Sequence, residues 1–334
     1  MLQLLYSQLA RARRQYYQRR PHLRRRLAAP VISIGNLTVG GSSKTPLAAE
    51  IARVMLGLGE RPAILSRGYA RRTSSDGVVI VSDGRHVRAD VDRSGDEPFM
   101  LARMVPKAAV LVCANRYLAG RLAESQLGCT VHILDDGFQH FDLMRDVDLL
   151  VAPDTLDDVR TLPTGRFREP LDAATHAHAL LVEISRRAGQ SRAGLAAQDP
   201  PYSGEDMTER LHVPLAFEFT RQLAGPAPDK PAFAFAGIAR PERFYNDLEN
   251  SGWQITGRRS FRDHHHYSSR DIDALAAEAQ HSGARVMLTT EKDAVRLKTE
   301  SAGGLPIVPM PLEISIEPRF TAWLSERLRS IPSA

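Results

Sequence analysis

Short apolar runs separated by stretches of helical length recur along the first part of the chain, at residues 31–34, 63–65, 109–112, 131–134, 147–151 and 179–182. None alternates strictly between apolar and polar positions, which is the pattern of strands buried on both faces, as in a parallel sheet covered by helices. Residues 47–57 and 116–127 carry the length and periodicity of such helices. Two interruptions break the rhythm. Residues 77–91 read GVVIVSDGRHVRADV, two alternating runs around Asp83-Gly84, and predict a hairpin that projects from the sheet. Residues 187–210 are rich in Gly, Ser, Gln, Asp and Pro and predict a linker or mobile loop. The pattern then restarts, with strands predicted at 215–219, 232–236, 286–289 and 307–308 and helices at 241–251, 270–281 and 318–328. These runs imply a main α/β domain over residues 28–210 and a smaller α/β domain over 211–334.

The length of 334 residues suits two domains, and 43% hydrophobic with 25% charged residues is the balance of a soluble globular protein. No apolar run approaches the length of a bilayer span. Cys113 and Cys129 form no metal or redox spacing and sit in or beside apolar runs, so they read as reduced core residues. Charge is distributed unevenly. Residues 1–26 hold eight arginines and no acidic residue, interleaved with Leu2, Leu4, Leu5, Leu9, Tyr16 and Tyr17. A signal peptide has the opposite order and a longer apolar core. Residues 1–27 therefore predict a basic amphipathic helix lying on an anionic surface, leucines dipping in and arginines on headgroups. A solvated basic arm or a nucleic-acid contact is the alternative.

Chemistry concentrates first at residues 30–46, PVISIGNLTVGGSSKTP. A β-branched strand runs into a glycine-bearing loop closed by Lys44 and Thr45, with a helical pattern behind them. This is the layout of a phosphate-binding P-loop, in which Gly40, Gly41, Ser42, Ser43, Lys44 and Thr45 cradle a polyphosphate and the Thr hydroxyl ligates Mg²⁺. Thr38 and Ser43 stand where the usual motif has glycine, so an ordinary strand-to-helix turn is the competing reading. With five lysines against 39 arginines, a lysine at this spot is less easily incidental.

Other candidates are individually ambiguous. The run at 131–134 ends in Asp135-Asp136-Gly137, carboxylates where a P-loop enzyme puts its Mg²⁺-associated acid, or a turn. Asp96 and Glu97 precede a helical pattern, where spacing alone favours an N-terminal cap over the competing reading of general base and metal neighbour. Asp263-His264-His265-His266-Tyr267 offers a catalytic or phosphate-contacting histidine, since three consecutive residues cannot all face one ion. Arginine-bearing turns at 66–69 and 162–170, and the charged stretch at 289–294, could clamp phosphates or form surface ion pairs.

Taken in order, GNLTVGGSSKTP, ILSRGYA, GDEPFML, ANR, ILDDGFQH, RDVDLLV, LPTGRFREP, FAGIARPERF, FRDHHHY and LTTEKDAVRL span residues from about 30 to 298. The set resembles the tetraacyldisaccharide 4′-kinases, the lipid A 4′-kinases of Gram-negative bacteria. That resemblance implies a P-loop NTPase-type parallel sheet with helices on both faces, a smaller C-terminal α/β domain and an N-terminal amphipathic helix. It implies transfer of the γ-phosphoryl of ATP to the 4′-hydroxyl of a lipid A disaccharide 1-phosphate, at the cytoplasmic face of the inner membrane. Lys44 would then meet the γ-phosphate and Thr45 the Mg²⁺, with Asp96 the base and His264 its partner. Glu97, Asp135 and Asp136 would surround nucleotide and metal, and Arg116, Arg168 and Glu169 would lie near the acylated disaccharide. The family usually has Gly at the position of Ser43. The resemblance favours a membrane-surface role for residues 1–27 and implies no nucleic acid and no obligate protein partner. Rival readings are a P-loop kinase of a small soluble substrate and a regulatory or metal-insertion GTPase, although no guanine-reading N-K-x-D stretch is present.

Overall fold

Strands buried on both faces need parallel neighbours and helical cover, and the chain supplies both. The computed structural model describes residues 2–40, 43–69, 71, 73, 77–184, 202–225 and 229–331. In chain order come α1 (Leu2–Gln18), β1 (Val31–Asn36), α2 (Lys44–Gly57), β2 (Pro62–Ser66), β3 (Val79–Asp83), α3 (Val91–Ser94) and α4 (Asp96–Met104). There follow β4 (Ala109–Val112), α5 (Arg116–Leu127), β5 (Val131–Asp135), β6 (Val147–Val151), β7 (Ala179–Glu183), α6 (Gly204–Leu211) and β8 (Ala216–Leu223). Next are β9 (Ala232–Ala236), α7 (Pro241–Asn250), β10 (Ile255–Ser260), α8 (Ser269–His281), β11 (Val286–Thr290) and α9 (Glu291–Ala294). The chain ends through β12 (Ser301–Ala302), β13 (Leu305–Met310), β14 (Leu312–Ile316) and α10 (Arg319–Arg329).

Nine strands form the large sheet in the order β14-β8-β7-β6-β1-β5-β2-β4-β3. The inner strands are parallel, and β3 and β14 pair antiparallel at the two edges. One face packs Ile32, Ile34 and Ile133 against Leu47, Ile51 and Met55 of α2. The other packs Leu65 and Leu111 against Ala119 and Ala123 of α5. Because β5 lies between β1 and β2, the carboxyl ends of β1 and β5 are adjacent, with Ile34 opposite Asp135. That crevice is where ligands of parallel sheets bind. The second sheet, β10-β9-β11-β13-β12, has its own core. Phe235, Leu275 and Met287 pack on one side, and Tyr245, Leu248 and Trp253 on the other.

Several boundaries differ from the sequence expectation. The expected division at 210/211 fails because β8 and β14 belong to the large sheet and α10 packs on it, so that Phe217, Phe219, Ile314, Phe320 and Leu324 complete the main core. The smaller lobe is thus an insertion spanning β9 to β13, flanked by β8 and β14, which pair with each other. Strand periodicity carries no information about partners, so this pairing could not be read from the pattern. Residues 77–91 do not project either. Val79 and Val81 are buried and β3 pairs with β4 as an edge strand of the sheet, with a short hairpin turn beyond it, closed by the Ser82–Val87 bridge and by Arg88 N donating to Val81 O at 2.7 Å. Of the expected linker, 187–201 lie outside the described residues, while Ser203 closes a capping box on helix α6.

Helix α1 docks on the large lobe. Ser7 Oγ lies 2.8 Å from Thr161 Oγ1, and Arg14 enters a buried ion pair with Glu169 at 2.7 Å. Arg14 therefore meets protein instead of headgroups, contrary to the expectation for the helix's arginines. Leu2, Leu4, Leu5 and Leu9 stay exposed.

Candidate active site

The sharp passage from β1 into its loop depends on Gly35. A Cβ there would lie 2.4 Å from the Cβ of Phe138, so only glycine admits the Asp135–Phe138 turn beside β1. Beyond it, Gly40 has φ 100° and Ser43 φ 56°, the left-handed turns that bring the loop back into α2. Ser43 occupies a conformation that suits glycine. Gly41 and Ser42 lie outside the described residues. Ser43 gives α2 no side-chain cap, and the first-turn N–H groups and positive end of the helix face the crevice as an anion site. Lys44 Nζ lies 2.8 Å from Asn36 Oδ1 and 2.9 Å from Asp136 Oδ1. Its ammonium is thus held between β1 and the turn after β5.

Thr45 Oγ1 lies 3.5 Å from Asp135 Oδ2, which puts hydroxyl and carboxylate side by side under the loop. Asp135 Oδ1 is buried with no hydrogen-bond partner. Burial first, and then the nearby Glu97 and Asp136 carboxylates, push the Asp135 carboxyl above its usual range. Burial works the same way on Asp136, but Lys44 and Arg168 outweigh it and hold that carboxyl low. An orphaned buried carboxylate oxygen beside a threonine hydroxyl fits Mg²⁺. Among the described residues no three Asp, Glu, His or Cys side chains form a closed cage. Mg²⁺ needs none, since it commonly takes one or two protein oxygens and completes its shell with phosphates and water.

Asp96 begins α4, and Gly95 before it has φ 87°, with Tyr69 O only 2.7 Å from where a Cβ would be. The Asp96 side chain points across to the smaller lobe. There His264 Nδ1 lies 2.8 Å from Asp96 Oδ2, so two residues 168 positions apart meet. His264 is held on its loop at φ 59°, with its own N–H donating to Gly237 O at 3.2 Å. Burial alone would raise the Asp96 carboxyl, but His264, Arg296 and Lys292 together hold it below the usual range. Glu97, beside it, pairs with Lys292 at 3.2 Å.

The P-loop and His264 open onto one cleft of about 1200 Å³, whose walls include Lys44, Thr45, Glu97, Asp135, Asp136, His264 and Lys292, with Asp96 buried directly behind His264. Tyr6, Leu9 and Arg13 of α1 also line it, together with Arg116, Arg168 and Glu169. Arg168 Nη1 donates to Asp136 Oδ2 at 2.7 Å, and Arg116 is buried with Nη1 on Ala114 O at 3.0 Å. Both Glu169 oxygens are already engaged. Arg14 takes both, and Gln139 Nε2 lies 3.0 Å from Oε1. Sequence reasoning left out Asn36, Gln139 and Arg296, and gave Lys292 only as part of a charged stretch. The last two lie in LTTEKDAVRL, whose position directly after a strand was the available signal.

Comparison with known proteins identifies the family and the fold. The family model described as LpxK, tetraacyldisaccharide-1-P 4′-kinase, matches residues 1–329. Tetraacyldisaccharide 4′-kinases from Geobacter sulfurreducens and Bradyrhizobium diazoefficiens are 38% and 40% identical, covering 93% and 86% of this chain and 86% and 80% of their own. The one from Desulfotalea psychrophila is 36% identical over 89% of this chain and 86% of its own. A crystal structure of LpxK from Aquifex aeolicus, the "apo" form in complex with ATP, superposes with a TM-score of 0.74 at 27% identity, covering 98% of this chain and all of that one. By the full-length match, the relatives and the shared fold, the chain belongs to the LpxK family, the tetraacyldisaccharide 4′-kinases of lipid A biosynthesis.

Proposed function

We propose that this cleft transfers the γ-phosphoryl of ATP to the 4′-hydroxyl of a lipid A disaccharide 1-phosphate at a membrane surface. The observation that carries the reading is that a P-loop lysine and His264, which is joined to Asp96 across the lobes, face the same space. Phosphoryl transfer needs positioning and charge neutralisation more than covalent catalysis. Loop N–H groups and Lys44 would spread over the phosphate oxygens, Lys44 leaving Asp136 to do so. Thr45 and Asp135 would hold Mg²⁺, with Glu97 and Asp136 close by; bound there, the ion would neutralise charge on the phosphates. Asp96 would accept the hydroxyl proton, oriented by His264. A carboxylate held at low pKa serves here, because in a loose transition state the proton leaves late. Asp96 and His264 meet only across the lobes, so approach of the lobes would complete the base and exclude water.

Arg116 and Arg168 would meet the polar disaccharide, and Glu169 would contribute by holding α1 over the cleft. Leu2, Leu5 and Leu9 recur at one face of α1, are more than half exposed, and lead to the cleft wall. Arg11, Arg13, Arg19 and Arg20 remain on the surface. That arrangement suits a peripheral helix on the cytoplasmic face of the inner membrane, with the acyl chains left in the bilayer. No helix of the described residues is long and apolar enough to cross it.

Incubation with γ-labelled ATP, Mg²⁺ and a lipid A disaccharide 1-phosphate should yield a labelled bisphosphate on chromatography, and Lys44→Ala should abolish it. Wild-type turnover by Lys44→Ala would remove the P-loop assignment. Deleting residues 2–26, or raising salt, should release the protein from anionic liposomes. Undiminished sedimentation of the truncated chain would sink the interfacial-helix reading.

A further inference from the structure

Lys292 and Arg296, four positions apart, reach the two adjacent carboxylates at the start of α4. Lys292 lines the cleft, where a ligand can meet it. Arg296 does not line it, and its side chain is only 1% exposed, packed behind Asp96. Its Nε nevertheless lies 2.9 Å from Asp96 Oδ2, an ion pair without the alignment of a full hydrogen bond. We propose that Arg296 is a positioning residue that fixes the rotation of the Asp96 carboxylate across the two lobes. The proposal rests on the reading of Asp96 as the base.

The guanidinium is well placed to do this. Nη1 donates to His265 O at 2.9 Å and to Gly237 O at 3.4 Å, and lies 3.5 Å from Asp293 Oδ1. Asp293 is itself fixed, accepting from Gly237 N at 3.0 Å, Tyr267 Oη at 2.9 Å and Thr290 Oγ1 at 2.6 Å. The far end of Arg296 is thus bolted to the loop that carries His264, while Nε faces Asp96. Arg296 and His264 contact the same oxygen, Oδ2. A carboxylate held through one oxygen by two groups cannot rotate freely about its side-chain bond, and on the reading of Asp96 as the base Oδ1 would be the oxygen that a substrate hydroxyl meets. His264 alone would be a weaker hold, because its charge depends on protonation, whereas a guanidinium is always charged and planar. Displacing a reacting group by about 1 Å can cost on the order of 100-fold in rate.

The rival account makes Arg296 a structural counter-ion of Asp293, with no bearing on the rate of folded molecules. Full-length Arg296→Gln, Arg296→Lys, Asp96→Asn and the double variant Asp96→Asn/Arg296→Gln distinguish the two. Each is assayed with labelled ATP and the lipid acceptor, with kcat expressed per folded, ATP-binding molecule. Arg296→Gln should lower kcat by about 100-fold, with both KM values within about threefold of wild type. Arg296→Lys should recover part of the loss, since an ammonium keeps the charge but cannot reach both Asp96 and the His265 carbonyl. Added to Asp96→Asn, Arg296→Gln should cost little more, as for groups acting as a unit. Wild-type kcat in Arg296→Gln beside a crippled Asp96→Asn overturns the proposal and leaves the base reading standing. Wild-type kcat in Asp96→Asn overturns both, and fully multiplicative losses overturn the positioning role. If Arg296→Gln does not fold, Arg296→Lys decides: a several-fold loss of kcat at unchanged KM supports the role, and wild-type kcat refutes it.

Discussion

Arg14→Ala tests how the N-terminal helix is held over the cleft. The Arg14 and Glu169 side chains are 7% and 4% exposed, and two charge-assisted hydrogen bonds of 2.8 and 2.7 Å join them. The guanidinium also lies over the Phe138 and Phe141 rings, 4.6 and 4.7 Å from their centroids. Removing one partner of a buried pair costs about 3–5 kcal/mol, because the other charge stays buried and unpaired. Gln139 would remain on Glu169, which pulls the cost toward the lower end, about 3 kcal/mol. The other polar contacts of α1 are lesser, including the half-exposed Arg11–Asp172 pair. None of α1 belongs to the main core. The cost should therefore appear as undocking of α1 and not as global unfolding. At 1.4 kcal/mol per decade, the later amides of α1 should exchange about 100-fold faster in hydrogen-exchange mass spectrometry, while Tm shifts little and KM for the lipid rises. The double variant Arg14→Met/Glu169→Leu, apolar and similar in volume, should restore much of the protection. Unchanged α1 exchange in Arg14→Ala would refute the argument.

Ser43→Gly places the residue that suits φ 56° at the end of the loop, relieving about 1 kcal/mol of left-handed strain. Tm should hold or rise slightly and kcat stay within a few-fold, whereas a collapse of activity would give the Ser43 hydroxyl a specific role. Burial pushes the Cys129 thiol up to about 11, with Arg61 opposing only in part. At pH 8 the folded protein should keep it as unreactive thiol toward a thiol-reactive dye until denaturant is added, and prompt labelling of native Cys129 would contradict its placement.

Local structure was legible in the sequence. β1, its glycine-bearing loop, Lys44 and Thr45 are contiguous, so backbone propensity and spacing suffice to define an anion site at a helix start. Asp135 and Asp136 were likewise readable at the end of a continuous apolar strand, and the ordered motifs led to the family. Tertiary structure decided what lies between distant segments. Periodicity says that 216–223 and 312–316 are strands, but only pairing puts them in the large sheet and turns the smaller lobe into an insertion. Composition marks Arg14 as one of many basic residues, and only burial against Glu169 separates it from those on the surface. The meeting of Asp96 with His264 was implied by resemblance alone, and that of Asp96 with Arg296 by nothing in the pattern. Such contacts join residues 168 and 200 positions apart, and the forces that close them depend on distance in space, which a linear pattern of hydrophobicity and charge does not contain.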